Sequence, residues 1–141
     1  MNTPIGPEIE ILLVDDDPDD VTLALRALDR QHLANRVHVV HDGAEALAYL
    51  RGMSRPRLVL LDLKLPKVSG LEVLAEVRND PRLKTLPVVI LTSSREEPDV
   101  ARAYALGANS YIVKPVDFEQ FLRAVSEVGL YWLLINQSPA Q

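Results

Sequence analysis

Ile11-Leu12-Leu13-Val14-Asp15-Asp16-Asp17-Pro18 is the stretch that decides the fold. Four apolar residues make a short buried strand, starting about Glu10, and three aspartates stop it. Asp17 followed by Pro18 reads as an N-cap with proline at the first helical position, so a helix begins where the strand ends. The alternation then repeats. Val37–Val40 ends at Asp42-Gly43, and Leu58-Val59-Leu60-Leu61 stops at Asp62. Val88-Val89-Ile90-Leu91 stops at Thr92-Ser93-Ser94, and Ser110–Val113 runs into Lys114-Pro115. Short continuous apolar runs alternating with helical patterns imply a parallel sheet, whose ligands bind outside the carboxyl ends of the strands.

Between the strands, apolar residues recur at helical spacing. The first helix presents Val21, Ala24, Leu25 and Leu28 on one face, and the second is expected to bury Ala44, Leu47 and Ala48. A Pro66–Gly70 loop leads into a third with Leu71, Leu74 and Val77 inward, closed by Asp80-Pro81 because the residue before proline disfavours helix. The fourth is expected to carry Val100, Ala101, Tyr104 and Ala105 on a broad face, with Gly107 supplying the left-handed terminus. Asp117 caps a fifth with Phe118, Phe121, Leu122 and Val125 in register. The pattern is (βα)5, an α/β doubly wound sheet in which right-handed crossovers put helices on both faces. Residues 1–8 read as a loose lead, 9–128 as one domain and 129–141 as a C-terminal extension. No internal repeat, low-complexity tract or interdomain linker interrupts it.

Bulk properties narrow the function classes. A chain of 141 residues with 48% hydrophobic and 25% charged residues is globular rather than disordered. A net charge of −5 without a basic stripe argues against a nucleic-acid surface. The absence of Cys excludes disulfides and thiolate chemistry and fits a reducing cytoplasm. No basic-then-apolar leader and no run of membrane-spanning length is expected.

The strand ends carry the chemistry. Asp15, Asp16 and Asp17 are compatible with plain turn formation and capping, and Asp17 before Pro18 is most simply a cap. Asp15 and Asp16 facing Asp62 from another strand ask for more, since like charges ~5 Å apart at an effective dielectric of ~20 repel by roughly 3 kcal/mol per pair. Hard oxygen ligands with open positions suit Mg2+ (or Mn2+), which takes one or two carboxylates plus phosphate oxygens. Thr92 is either a polar strand terminus or a hydroxyl for a phosphoryl oxygen. Lys114 is either a surface lysine or the partner of the carboxylates. The Lys114-Pro115 bond is a candidate cis peptide. His32, His38 and His41 lack partners at ligand spacing and read as surface or strand-edge residues.

Two aspartates after the first strand, one after the third, threonine after the fourth and Lys-Pro after the fifth resemble the receiver domain of two-component response regulators. The resemblance covers about residues 9–128. It implies a flavodoxin-like sheet in the order 2-1-3-4-5 and phosphotransfer from a phosphohistidine on a sensor histidine kinase. It further implies that Asp62 is the phosphoacceptor, that Asp16 binds Mg2+ directly and Asp15 through water, and that the backbone carbonyl of Lys64 is the third protein ligand. Thr92 and Lys114 match the residues holding the phosphoryl oxygens. Tyr111 stands where the family carries its switch aromatic, expected to turn inward as Thr92 shifts. Lys64 also occupies a position that tunes phosphoryl lifetime in the family.

No room remains in these residues for an output module, so output is expected through protein–protein contact or phosphorelay. The extension, the Asp17-Pro18-Asp19-Asp20 start and the Asp62-Leu63-Lys64-Leu65-Pro66 loop look like the small regulators that partner phytochrome-type kinases. The tail Leu130-Tyr131-Trp132-Leu133-Leu134-Ile135 either folds on its own domain or docks. A homodimer through the fourth helix, fifth strand, fifth helix and tail is expected, because a sizeable apolar patch rarely stays exposed. Two other readings compete. Asp15-x-Asp17 with Thr92 and Lys114 resembles a haloacid-dehalogenase-type phosphatase, which leaves Asp62 unexplained. A pseudo-receiver would keep the fold as an interaction module without phosphorylation.

Overall fold

The computed structural model describes residues 9–30, 33–52, 55–93 and 98–130. Expectations for the lead, for His32 and for the tail beyond Leu130 lie outside the described residues. Five strands, β1 (Ile11–Val14), β2 (Val37–Val40), β3 (Leu58–Asp62), β4 (Val88–Thr92) and β5 (Ser110–Val113), form one sheet. They are all parallel, in the order β2-β1-β3-β4-β5. The helices are α1 (Pro18–Asp29), α2 (Gly43–Leu50), α3 (Gly70–Asn79), α4 (Pro98–Ala105) and α5 (Phe118–Glu127). Architecture and strand order are those the sequence implies.

Burial explains the order. The interior strands β1, β3 and β4 are buried along their whole length, as strands covered on both faces must be. The edge strands β2 and β5 are only half covered. Because successive side chains point to opposite faces, each strand feeds two cores. On one face Ile11, Leu13, Leu58, Leu60, Val89 and Leu91 pack against α1 and α5 through Leu28, Phe121 and Val125. On the other, Leu12, Val14, Val59, Leu61, Val88 and Ile90 pack against α2 and α3 through Leu47, Leu74 and Val77. Each fully buried Leu, Ile or Phe stabilises the fold by about 1.5–3 kcal/mol relative to leaving it exposed.

Local signals set the helix starts. Asp17 accepts from the Asp19 and Asp20 amides, Asp42 from Glu45, and Asp117 from Gln120. Ser69 and Glu72 form a reciprocal capping box. Gly107 adopts φ 107° and ends α4, as expected.

Two helix faces differ from the sequence reading. In α2, Ala44 and Ala48 are exposed, whereas Gly43, Ala46, Leu47 and Leu50 are buried. Gly43 sets this rotation: a Cβ there would lie 2.0 Å from the Val68 carbonyl oxygen, so only glycine lets the helix start abut that loop. In α4, Val100 and Ala103 are buried, while Ala101, Tyr104 and Ala105 face outward. That helix rests on the sheet by a narrow small-residue stripe, and its aromatic residue lies beside β5 rather than beneath the helix. Elsewhere the inward positions hold, with Val21, Leu25, Leu71, Phe118 and Leu122 only half buried.

Candidate functional site

The strand order reverses between β1 and β3, which opens a crevice at their carboxyl ends. The residues after β1, at the end of β3, at the end of β4 and after β5 meet there. Asp16, Asp20, Asp62, Lys64, Thr92 and Lys114 are among those lining an open cleft of about 490 Å3. Asp15 lies directly beneath, only 1% exposed.

Each side chain is placed by its backbone. Asp15 Oδ1 accepts from the Asp17 amide at 3.0 Å, closing the turn that separates β1 from α1. Asp62 Oδ1 accepts from the Lys64 amide at 3.2 Å. Behind it Gly70 permits a close approach, since a Cβ there would lie 2.3 Å from the Asp62 carbonyl oxygen. The Lys114 amide bonds the Thr92 carbonyl at 2.7 Å, so β4 and β5 stay paired into the site. The Lys114–Pro115 bond is cis, as the sequence suggests.

Carboxylate oxygens of Asp15, Asp16 and Asp62 lie within 4.8 Å of one another. Lys114 Nζ stands 3.0 Å from Asp62 Oδ2, 3.3 Å from Asp15 Oδ2 and 3.0 Å from Asp20 Oδ2. Burial pushes the Asp15 carboxyl up to about 6, against the hydrogen bond from Asp17 and the attraction of Lys114. Asp62 moves in the same direction for the same first cause, opposed by Lys114. For Lys114 burial favours the neutral amine, but its bonds to Asp20 and Asp62 outweigh it and hold the ammonium charged. The site therefore combines clustered hard oxygens with the fixed ammonium of Lys114. Such a donor set fits a small divalent cation and an incoming phosphoryl group.

The expected residues come together with one exception and one addition. Tyr111 lies outside the cleft, half buried, in edge-to-face contact with Tyr104 at 6.3 Å between centroids. Asp20 was not singled out from sequence, yet it reaches Lys114 as closely as Asp62 does. Its only sequence signal is the spacing of three residues from the capping Asp17. Asp17 lines the cleft but spends its carboxylate on the helix cap, as read. His38 stacks on Tyr49 at the sheet edge. His41 is exposed, with Nδ1 3.3 Å from the backbone carbonyl of Asp15.

Residues 11–126 match the response regulator receiver domain. The chain belongs to that family. This receiver is 50% identical to the bacteriophytochrome response regulator RtBRR, covering 94% of this chain and 86% of that one, with a TM-score of 0.82. It is 46% identical over 134 residues to the probable methanogenesis regulatory protein FilR2 of Methanothrix harundinacea, covering 92% and 86%. With response regulator Rcp1 of Synechocystis sp. it shares 36% identity over 146 residues, covering 99% of each. A structure of the Mn2+-bound form of Rcp1 aligns with a TM-score of 0.71 at 38% identity, covering 90% and 95%. Receivers of this type are phosphoacceptor signalling proteins rather than enzymes, and the phosphatase reading falls away. Among the described residues no helix is long and apolar enough to cross a membrane.

Proposed function

We propose that Asp62 accepts a phosphoryl group from a phosphohistidine on a sensor histidine kinase, and that the domain signals by protein–protein contact or phosphorelay. The observation that carries this reading is the ammonium of Lys114 held 3.0 Å from Asp62 inside the carboxylate cluster. An Asp62 oxygen attacks phosphorus in line. The P–O bond forms as the P–N bond breaks, and the electron pair leaves with the imidazole. Lys114 and the Thr92 hydroxyl face the oxygens on which charge grows, where fixed donors lower the barrier most. Asp16, Asp62 and the Lys64 carbonyl, with Asp15 through water, would hold Mg2+ or Mn2+. The cation supplies Lewis-acid neutralisation of the phosphoryl oxygens. Asp62 must be ionised to attack, and charge neutralisation opposes the burial that favours its protonated form.

Likeness to RtBRR supports a phytochrome-type kinase as partner, while likeness to FilR2, named a probable methanogenesis regulatory protein, supports a different input signal. Tyr111 would act as the switch aromatic, and exposed Tyr104 and Leu106 support dimerisation through the α4–β5–α5 face. The lack of Cys supports the cytoplasm.

Acetyl phosphate with Mg2+ provides the test. The protein is expected to gain one hydroxylamine-labile phosphoryl group, lost in Asp62→Asn, and to shift toward the dimer mass. No uptake would leave the pseudo-receiver reading in place.

A further inference from the structure

In the Asp17-Pro18-Asp19-Asp20 start, Asp20 serves neither the cap nor the cation cluster, yet its carboxylate meets Lys114. We propose that Asp20 is a positioning residue for Lys114, holding its ammonium so that one N–H stays aimed at Asp62 and whatever Asp62 carries. The inference rests on the phosphoacceptor reading above for its function, but its geometry stands alone.

An ammonium has three donors and no acceptor. Lys114 meets three carboxylates, one each from Asp15, Asp20 and Asp62, and its side chain is only 15% exposed. Two of these partners have other duties. Asp15 accepts from the Asp17 amide, and both Asp15 and Asp62 belong to the three-carboxylate cluster suited to a cation. Once Asp62 carries a phosphoryl group, its own share in Lys114 passes to the phosphoryl oxygens. Asp20 lies outside that cluster, so its charge remains available to the lysine throughout.

The local structure makes Asp20 a stiff support. Asp17 Oδ1 accepts from the Asp19 amide at 2.9 Å and the Asp20 amide at 3.4 Å, and Pro18 fixes the first helical turn. The Asp20 side chain is 24% exposed and spans from α1 to the loop after β5. An acidic residue in the first turn of a helix is favourable by itself through the helix dipole. That general effect would point Asp20 at water equally well; instead its Oδ2 lies 3.0 Å from Nζ of a mostly buried lysine. Cap, helix start and lysine support thus form one chain of contacts running from Asp17 to Lys114.

Two variants separate support from charge. Asp20→Ala removes the acceptor, and Asp20→Asn keeps one without the negative charge. At saturating acetyl phosphate and Mg2+, the Ala variant is expected to phosphorylate about tenfold more slowly, the penalty of a misplaced group. The Asn variant should recover to within about threefold of wild type, since a hydrogen bond remains. Mn2+ affinity by electron paramagnetic resonance should stay within about threefold for both, unlike Asp16→Asn, because Asp20 stands outside the cation cluster. A slow-exchanging Lys114 ammonium signal in 1H–15N spectra, assigned with Lys114→Arg, should broaden in Asp20→Ala. The proposal is overturned by an Ala variant as fast as wild type, by an Asn variant no faster than Ala, or by an unchanged ammonium signal. A large loss of Mn2+ affinity would overturn it in favour of a metal ligand. If wild type takes up no phosphoryl group, the phosphoacceptor reading fails, and the ammonium signal alone decides the role of Asp20.

Discussion

The two ends of the sheet are built from opposite kinds of residue. At the N-terminal end of the strands, cations outnumber the carboxylate they serve. Glu10, buried before β1, is paired with Arg36 at 3.1 Å and Arg57 at 3.6 Å. Arg78 donates there to the carbonyls of Lys84, Leu86 and Gly107 and to Asn109 Oδ1. At the C-terminal end the proportion reverses: Asp15, Asp20 and Asp62 meet Lys114, and Asp16 joins Asp15 and Asp62 in the carboxylate cluster. One end pairs its charges within the fold and serves as foundation, although Glu10 Oε1 is buried without a hydrogen bond and meets Arg57 only as an ion pair at 3.6 Å. The other holds, among the described residues, more carboxylates than cations, an imbalance that an added cation would offset. In a parallel sheet all strands run from the first end to the second, so a single topology separates what stabilises from what binds.

The largest effect is expected where satisfaction is greatest. Arg78→Ala removes a fork joining the approaches to β4 and β5 to α3. Loss of hydrogen bonds from a half-buried charged group, with carbonyls left behind, should cost about 2–4 kcal/mol. At about 2–4 °C per kcal/mol, the melting temperature should fall by roughly 10 °C. Arg78→Lys should restore little, because an ammonium cannot span the same acceptors. Phosphorylation of the folded variant should be nearly unchanged. A stability loss below about 1 kcal/mol would mean that water replaces these contacts, and the foundation would lie elsewhere.

Arg78 also shows where sequence reading stops. Its acceptors come from residues 84, 86, 107 and 109, and no local pattern announces them. The strand ends were legible because each is a local event: an apolar run, then Asp, Thr or Lys. Asp17 could be assigned to capping because proline followed it. The faces of α2 and α4 were not legible. Gly-Ala-Glu-Ala-Leu-Ala-Tyr-Leu offers several equivalent small-residue stripes, and contact of Gly43 with the Val68 backbone selects among them. In α4, Tyr104 is drawn to Tyr111 across the surface, a choice made by tertiary contact. Asp20 was hidden for the same reason, since one aspartate among the five of residues 15–20 gives no hint of a lysine 94 positions later.

A smaller, opposite effect is expected at the acidic end. Asp15 has its carboxyl raised to about 6 by burial, above an unfolded value near ~3.9. Between those values the folded state binds more protons than the unfolded one, so metal-free stability falls as pH rises from about 4 to about 6. Two pKa units set an upper limit of about 3 kcal/mol. Asp15→Asn should therefore be more stable than wild type by about 1–3 kcal/mol in EDTA at pH 7.5. Its stability should also depend less on pH across that window. Mg2+ should cancel or reverse the difference, since a ligand at 100 times its Kd stabilises the wild type by about 2.7 kcal/mol. Denaturant melts with and without Mg2+ check both signs. A wild type more stable than Asp15→Asn in EDTA would show that Lys114 already balances the cluster.

The smallest effect tests the balanced end by its redundancy. In Arg36→Gln, Glu10 keeps Arg57, and Arg36 is 40% exposed, so water compensates part of the lost ion pair. The expected cost is about 1 kcal/mol or less in a urea melt, shrinking further in high salt as exposed charges are screened. Two cations share one carboxylate here, whereas at the other end Lys114 alone meets three. A loss of about 3 kcal/mol, the usual result of stranding a buried charge, would mean that Glu10 depends on a single partner as the aspartates depend on Lys114. The two ends would then differ in the sign of their charge and no longer in its balance.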